Sequence, residues 1–132
     1  MQISTKTEYA VRALAELSKS SDGKPMSIAT ICKNQSLPLK YTEQIFRKLK
    51  QNELVESIHG SQGGYVLKKP ISEITLKNIL DSVEDNKAIC DCASIDFCPG
   101  NPCGLQSIWN EIQGHLDSYF ESIKLERMIL SL

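Results

Sequence analysis

Apolar residues recur at helical spacing along most of this chain. Tyr9, Ala10, Ala13, Leu14 and Leu17 form one stripe and predict a first helix over about residues 5–20, with Thr5 and Glu8 spaced as an S/T-x-x-E capping box. Ser27 is placed to cap a short second helix with Ile28, Ile31 and Cys32 turned inward. A turn follows, and Pro38 stands where a first-turn proline is tolerated. The third helix, to about Gln51, buries Ile45, Phe46 and Leu49. Residues 54–58 and 65–67 read as two strands around Gly60-Ser61-Gln62-Gly63-Gly64. Thr75 then caps a helix whose apolar side is Leu76, Ile79, Leu80 and Val83, with Ile74 able to staple against Ile79. The last stripe, Leu105, Ile108, Trp109, Ile112, Leu116, Tyr119, Phe120 and Ile123, predicts a helix of about twenty residues.

A short helix, a tight turn, a helix with a polar basic face and then a hairpin make a winged helix-turn-helix. The expected fold is mainly α with a small β-hairpin, ending in a long C-terminal dimerisation helix. Residues 1–84 form the DNA-binding domain, 85–104 a cysteine-rich loop holding prolines and glycines, and 105–132 the dimerisation helix and tail. One small domain has little surface to cover the last stripe, so a second copy is expected on Leu105, Ile108, Trp109, Ile112, Leu116, Tyr119 and Phe120.

The net charge of −1 conceals an asymmetry: residues 1–70 hold 11 Lys and Arg against 6 Asp and Glu, and residues 71–132 hold 4 against 10. A basic front half is the footprint of a polyanion binder. On the third helix Lys40, Tyr41, Glu43, Gln44, Arg47 and Lys48 are displayed. Gln44 can pair with adenine, Arg47 with guanine, and Glu43 with a cytosine amino group, while Lys40, Lys48 and Lys50 suit phosphates. The wing tip, His59, Gly60, Ser61 and Gln62, can reach the minor groove, glycine allowing close approach. No apolar run approaches the roughly 20 residues of a membrane span, and the polar start is unlike a signal peptide, so a cytoplasmic protein is expected.

Four of the five cysteines, Cys90, Cys92, Cys98 and Cys103, fall in C-x-C-x5-C-x4-C. Thiolates so gathered hold a soft metal centre or cross-link with each other. Three chemistries remain open on spacing alone: an iron–sulfur cluster, an all-thiolate zinc site, or a thiol–disulfide switch. An enzyme is not expected, because the two histidines, His59 and His115, fall in the wing and the last helix.

Several blocks, taken together, resemble the Rrf-two type bacterial transcriptional regulators. They are Tyr9-Ala10-Val11-Arg12-Ala13-Leu14, Tyr41-x-Glu43-Gln44-Ile45-Phe46-x-x-Leu49, Leu54-Val55, Gly60-x-x-Gly63-Gly64-Tyr65, and three cysteines followed by Trp109. The resemblance implies a homodimeric repressor of iron–sulfur cluster assembly or stress genes, whose cluster state controls binding to a palindromic double-stranded DNA operator. It implies Cys92, Cys98 and Cys103 as cluster ligands. The members that regulate cluster biogenesis carry a histidine three residues after the last cysteine, where this chain has Gln106. Other members use a carboxylate at the position of Glu8, from the partner subunit, which makes Glu8 the expected fourth ligand and Cys90 its competitor. Likeness of the reading helix favours a 2Fe–2S cluster. Cluster-assembly proteins are further expected partners, and a nitric-oxide-sensing member of the family is an alternative role.

Overall fold

A computed structural model describes residues 2–20, 23–90 and 103–132. In chain order they form α1 (Thr5–Ser18), α2 (Ile28–Gln35), α3 (Leu39–Gln51), β1 (Val55–Ile58), β2 (Gly64–Leu67), α4 (Leu76–Val83), α5 (Leu105–Ser122) and α6 (Leu125–Leu130). The fold is mainly helical with one antiparallel hairpin, in the order helix, turn, helix, wing.

Helix α1 is the central rod and touches α2, α3, α4, β2 and α6. Its Ala10, Ala13 and Leu14 are fully buried with Ile31, Phe46, Leu49, Ile74, Ile79 and Leu125. Between α2 and α3, Ser36 takes the left-handed conformation (φ 54°), Leu37 N–H donates to the Cys32 carbonyl at 3.0 Å, and Leu37 is buried. This αL closure ends α2 in one residue and sets the angle of α3. Pro38 stands just outside α3 as its N-cap, not within the first turn.

The wing is fixed where it meets the body. Met26 and Tyr65 exchange N–H···O bonds of 3.0 and 2.9 Å, and the Tyr65 ring lies 4.9 Å from that of Phe46. A Cβ on Gly64 would stand 2.4 Å from the Met26 carbonyl oxygen, so only glycine lets the strand approach so closely. At the tip, Gly60 has φ +123°, a region side chains avoid.

The expected cap of the first helix is corrected. The cap of α1 is Ser4, whose Oγ accepts from Lys6 N–H at 3.2 Å; Glu8 takes no part in a capping box and pairs with Arg12 at 3.1 Å instead. The last long helix ends where its apolar stripe does, at Ser122 with Ile123 as its C-cap; Leu76 N–H donates to the Ile123 carbonyl at 2.8 Å, and Leu125 N–H donates to the Ile74 carbonyl at 2.8 Å. The chain then turns into α6, which returns Leu125 to the core with Met128 and Ile129 packed around it. Thr75 caps α4 as expected, in a capping box completed by Asn78.

Leu125→Ala should therefore cost about 2–4 kcal/mol, the range for deleting a fully buried leucine. Urea denaturation of the variant against the parent checks this; a loss below about 0.5 kcal/mol would place α6 outside the core.

Candidate nucleic-acid interface and cysteine segment

Helix α3 buries Thr42, Ile45, Phe46 and Leu49 and turns Lys40, Glu43, Gln44 and Arg47 to solvent. The spacing of the buried set forces this, since residues three and four apart share a helix face. Three other expected contacts are differently engaged. Tyr41 is half-buried, its ring edge-on to Tyr9 at 5.7 Å. Lys48 is half-buried and its Nζ donates to Asp85 Oδ1 at 3.0 Å. Lys50 donates to Ser57 Oγ of β1 at 2.8 Å. His59, Gly60, Ser61 and Gln62 are all exposed at the wing tip. The face that remains open thus carries two cations, a carboxylate and an amide, a set able to read base edges as well as phosphates.

Sequence reasoning missed the residues behind this face. Glu84, at the end of α4, is buried and its Oε1 accepts three hydrogen bonds: from Ser4 N–H at 2.9 Å, Ser4 Oγ at 2.7 Å and Thr7 Oγ1 at 2.6 Å. Burial alone would raise the Glu84 carboxyl, but the hydrogen bonds from Thr7 and Ser4 outweigh it and hold the group below its usual 4.5. The next residue, Asp85, bridges Lys6 Nζ of α1 at 2.7 Å and Lys48 of α3 at 3.0 Å. Hydrogen bonds from these two lysines lower its carboxyl to about 2. The signal in the sequence was an acidic pair directly after the last apolar residue of α4. A second buried carboxylate, Glu16, accepts from Lys19, Asn34 and Gln35 at 3.0, 2.8 and 2.6 Å and ties α1 to the end of α2.

Of the expected cluster ligands, Cys92 and Cys98 lie outside the described residues. Cys103 is half-buried at the foot of α5, where its carbonyl accepts from Gln106 N–H at 3.2 Å. Cys90 closes the segment on the other side, next to Ile89, whose N–H donates to Gln113 Oε1 of α5 at 2.7 Å. Among the described residues no three His, Cys, Asp or Glu side chains converge as a metal site. Glu8 is exposed, and its pairing with Arg12 is a water-screened surface contact that is easily exchanged. Three thiolates and one oxygen donor are chemically suited to an iron–sulfur centre. Along α5, Leu105, Ile108 and Tyr119 are exposed, Trp109, Ile112 and Leu116 half-buried, and Phe120 buried.

A family model described as Rrf2, iron-dependent transcriptional regulator, matches residues 3–130. The chain is 31% identical to the HTH-type transcriptional regulator IscR of Photorhabdus laumondii, over 98% of this chain and 79% of that protein. Among solved structures it is similar to T. potens IscR, with a TM-score of 0.71, 27% identity, and coverage of 99% of this chain and 88% of the other. It is also similar to CymR, the global cysteine regulator of B. subtilis, with a TM-score of 0.74, 26% identity, and coverage of 100% and 98%.

Because the folded-state value of Glu84 is depressed, its stabilisation is present above pH 4.5 and is lost as pH falls through the lowered value. Glu84→Gln should lower stability at neutral pH by about 1–3 kcal/mol, the scale of hydrogen bonds to a charged group. The variant should also flatten the acid limb below pH 4.5. Melting curves between pH 3 and 7 measure both; a variant as stable as the parent and equally acid-sensitive would exclude the charged clamp.

Proposed function

The chain belongs to the Rrf2 family of transcriptional regulators, and from that premise we propose that it is a cytoplasmic, homodimeric sensor that represses genes of iron–sulfur cluster assembly or stress by binding a palindromic operator, with cluster state setting its DNA affinity. The observation that carries this reading is the position of Glu84 and Asp85. They open the cysteine segment, and they are bonded to the first turn of α1 and to Lys48 of the reading helix.

Cys92, Cys98 and Cys103 would hold the cluster, with Glu8 of the partner subunit as fourth ligand. Since Ser4 caps α1, Glu8 is not needed for that task. When bound, a 2Fe–2S cluster supplies a thiolate-held centre that oxygen, nitric oxide or iron shortage removes. The protein's own part is mechanical. The state of the cysteine segment alters the placement of Asp85 at its start, and through it the pairing of Lys48, while Glu84 stays clamped. With Lys48 on Asp85, one cation of the reading helix is neutralised. Released, it faces phosphate. Glu43, Gln44 and Arg47 read base edges from the same helix in either state. The exposed α5 residues pack against their copies in the dimer, bringing two reading helices to one face as a palindrome requires.

A second reading is a thiol–disulfide regulator built on Cys90, Cys92, Cys98 and Cys103 without iron; likeness to CymR, a cysteine regulator, lends it a small measure of support.

Iron, sulfide and zinc per chain, measured on protein purified without oxygen, separate the two. About two iron and two sulfide per chain, with a visible chromophore, are expected for a 2Fe–2S centre. Colourless protein whose thiols oxidise to disulfides would establish the second reading. Glu8→Gln should shorten the lifetime of the chromophore while leaving thermal stability unchanged; an identical spectrum and lifetime would remove Glu8 from the ligand set.

Asp85→Asn should free Lys48 and raise the DNA affinity of the cluster-free protein several-fold. It should also steepen the salt dependence of log K by about one further counterion. Fluorescence anisotropy at several salt concentrations measures both, and unchanged affinity and slope would break the proposed link.

A further inference from the structure

Among the described residues, most exposed large apolar side chains belong to α5, the tail or the ends of described segments (Leu105, Ile108, Tyr119, Leu130, Leu132, Ile3 and Ile89), and Ile58 lies at the end of β1 in the wing. Leu39 is different. It is the first residue of α3, is 47% exposed, and stands among the polar groups of the open face. Glu43 lies one turn further along the same edge, and Lys40 is adjacent. A solitary exposed leucine is ordinary on a protein surface. A leucine at the leading turn of a helix whose neighbours on that face are Lys40, Glu43, Gln44 and Arg47 has a narrower explanation.

N-terminal residues of a reading helix are the ones that reach base edges in the major groove. The chemistry available there is almost wholly polar. The one apolar group on the groove floor is the C5-methyl of thymine. An apolar side chain at that depth gains nothing from phosphates or from the donors and acceptors of the other bases, and it desolvates them at a cost if it covers them. Against a thymine methyl, both surfaces leave water together.

We propose that Leu39 is a specificity-determining residue that packs on the C5-methyl group of a thymine in each operator half-site, next to the base met by Glu43. This rests on the DNA-binding reading of α3. It adds apolar selection at one position to the polar selection of Glu43, Gln44 and Arg47, so that the same helix discriminates thymine from cytosine where no hydrogen bond does so.

The test uses the full chain and an operator selected by it from a random-sequence duplex library. Each thymine of that operator is replaced in turn by deoxyuridine, which removes the methyl group and keeps every hydrogen-bonding edge. The parent protein should lose about three- to tenfold in affinity at one thymine per half-site, the effect of un-burying a methyl-sized contact. Leu39→Ala should lose a similar factor on the unmodified operator and be indifferent to deoxyuridine at that same position. Melting temperature equal to the parent's shows that the variant is folded, as an exposed leucine allows. Additive losses, a deoxyuridine effect that persists in Leu39→Ala, or no sensitive thymine at all would overturn the assignment. Failure of the parent to select or bind any duplex would instead overturn the DNA-binding reading itself, so the two failures are distinguishable.

Discussion

The Glu84 carboxylate is the constraint on which the arrangement of this molecule depends. It sits where the end of α4 meets the start of α1, and a single oxygen takes the backbone N–H and hydroxyl of Ser4 and the hydroxyl of Thr7. Helix α1 needs an acceptor at its first turn, because its leading N–H groups have no partner within the helix. A negative charge there also complements the positive end of the helix dipole. The burial that would otherwise expel this charge is outweighed by the bonds it receives, as its lowered pKa requires. Remove the clamp and the central rod of the core loses its anchor at the edge from which the cysteine segment departs.

The uneven charge of the chain takes on a second meaning beside this clamp. A basic front half does suit a polyanion, but part of that charge is consumed internally. Lys6 and Lys48 come from α1 and α3, and both are met by Asp85 from the acidic half. What is left open on α3 is a smaller, mixed set, Lys40, Glu43, Gln44 and Arg47. Such a set discriminates better than it attracts, because a carboxylate facing DNA is tolerated only where it finds a donor. On the proposed reading, affinity then comes from doubling the surface in a dimer and from any cation the Asp85 contact gives up.

The helices α1 to α5 and the wing were legible because their causes are local: apolar spacing, Ser27 and Thr75 as caps, glycines at the turn. What sequence reasoning lost was decided over long range. Thr5 and Glu8 have the spacing of a capping box, yet Ser4 wins because Glu84, eighty positions on, holds its hydroxyl. The short α6 had no local signal of its own: backbone bonds to Ile74 and Leu76 make the bend after Ile123 and carry Leu125 into the core. Lys48 has the look of a phosphate contact until Asp85 is brought beside it. Leu39 was passed over because an apolar residue at a helix start reads as core, and only its exposure sets it on the open face. Of the cysteines, spacing identified the segment, and Cys103 and Cys90 are placed at its two ends, each beside α5.

A sensor has to bias an element that possesses two arrangements of similar free energy. The coupling required is ordinarily about 1–3 kcal/mol, or 5–150-fold in affinity. The two acidic residues at the mouth of the cysteine segment differ in how they could meet that demand. Glu84 is buried and accepts every donor around it, so exchanging its partners would strand polar groups away from water and endanger the fold. Asp85 is exposed, and its ion pairs are screened by solvent, so Lys48 can trade a carboxylate for a phosphate without any cost to the core. The division of labour follows from burial alone: Glu84 fixes where the segment begins, and Asp85 is the contact that can change. On the proposed reading, the signal from the cysteines therefore reaches DNA through the weaker of two adjacent carboxylates, and the stronger one keeps α1 in place while it does so.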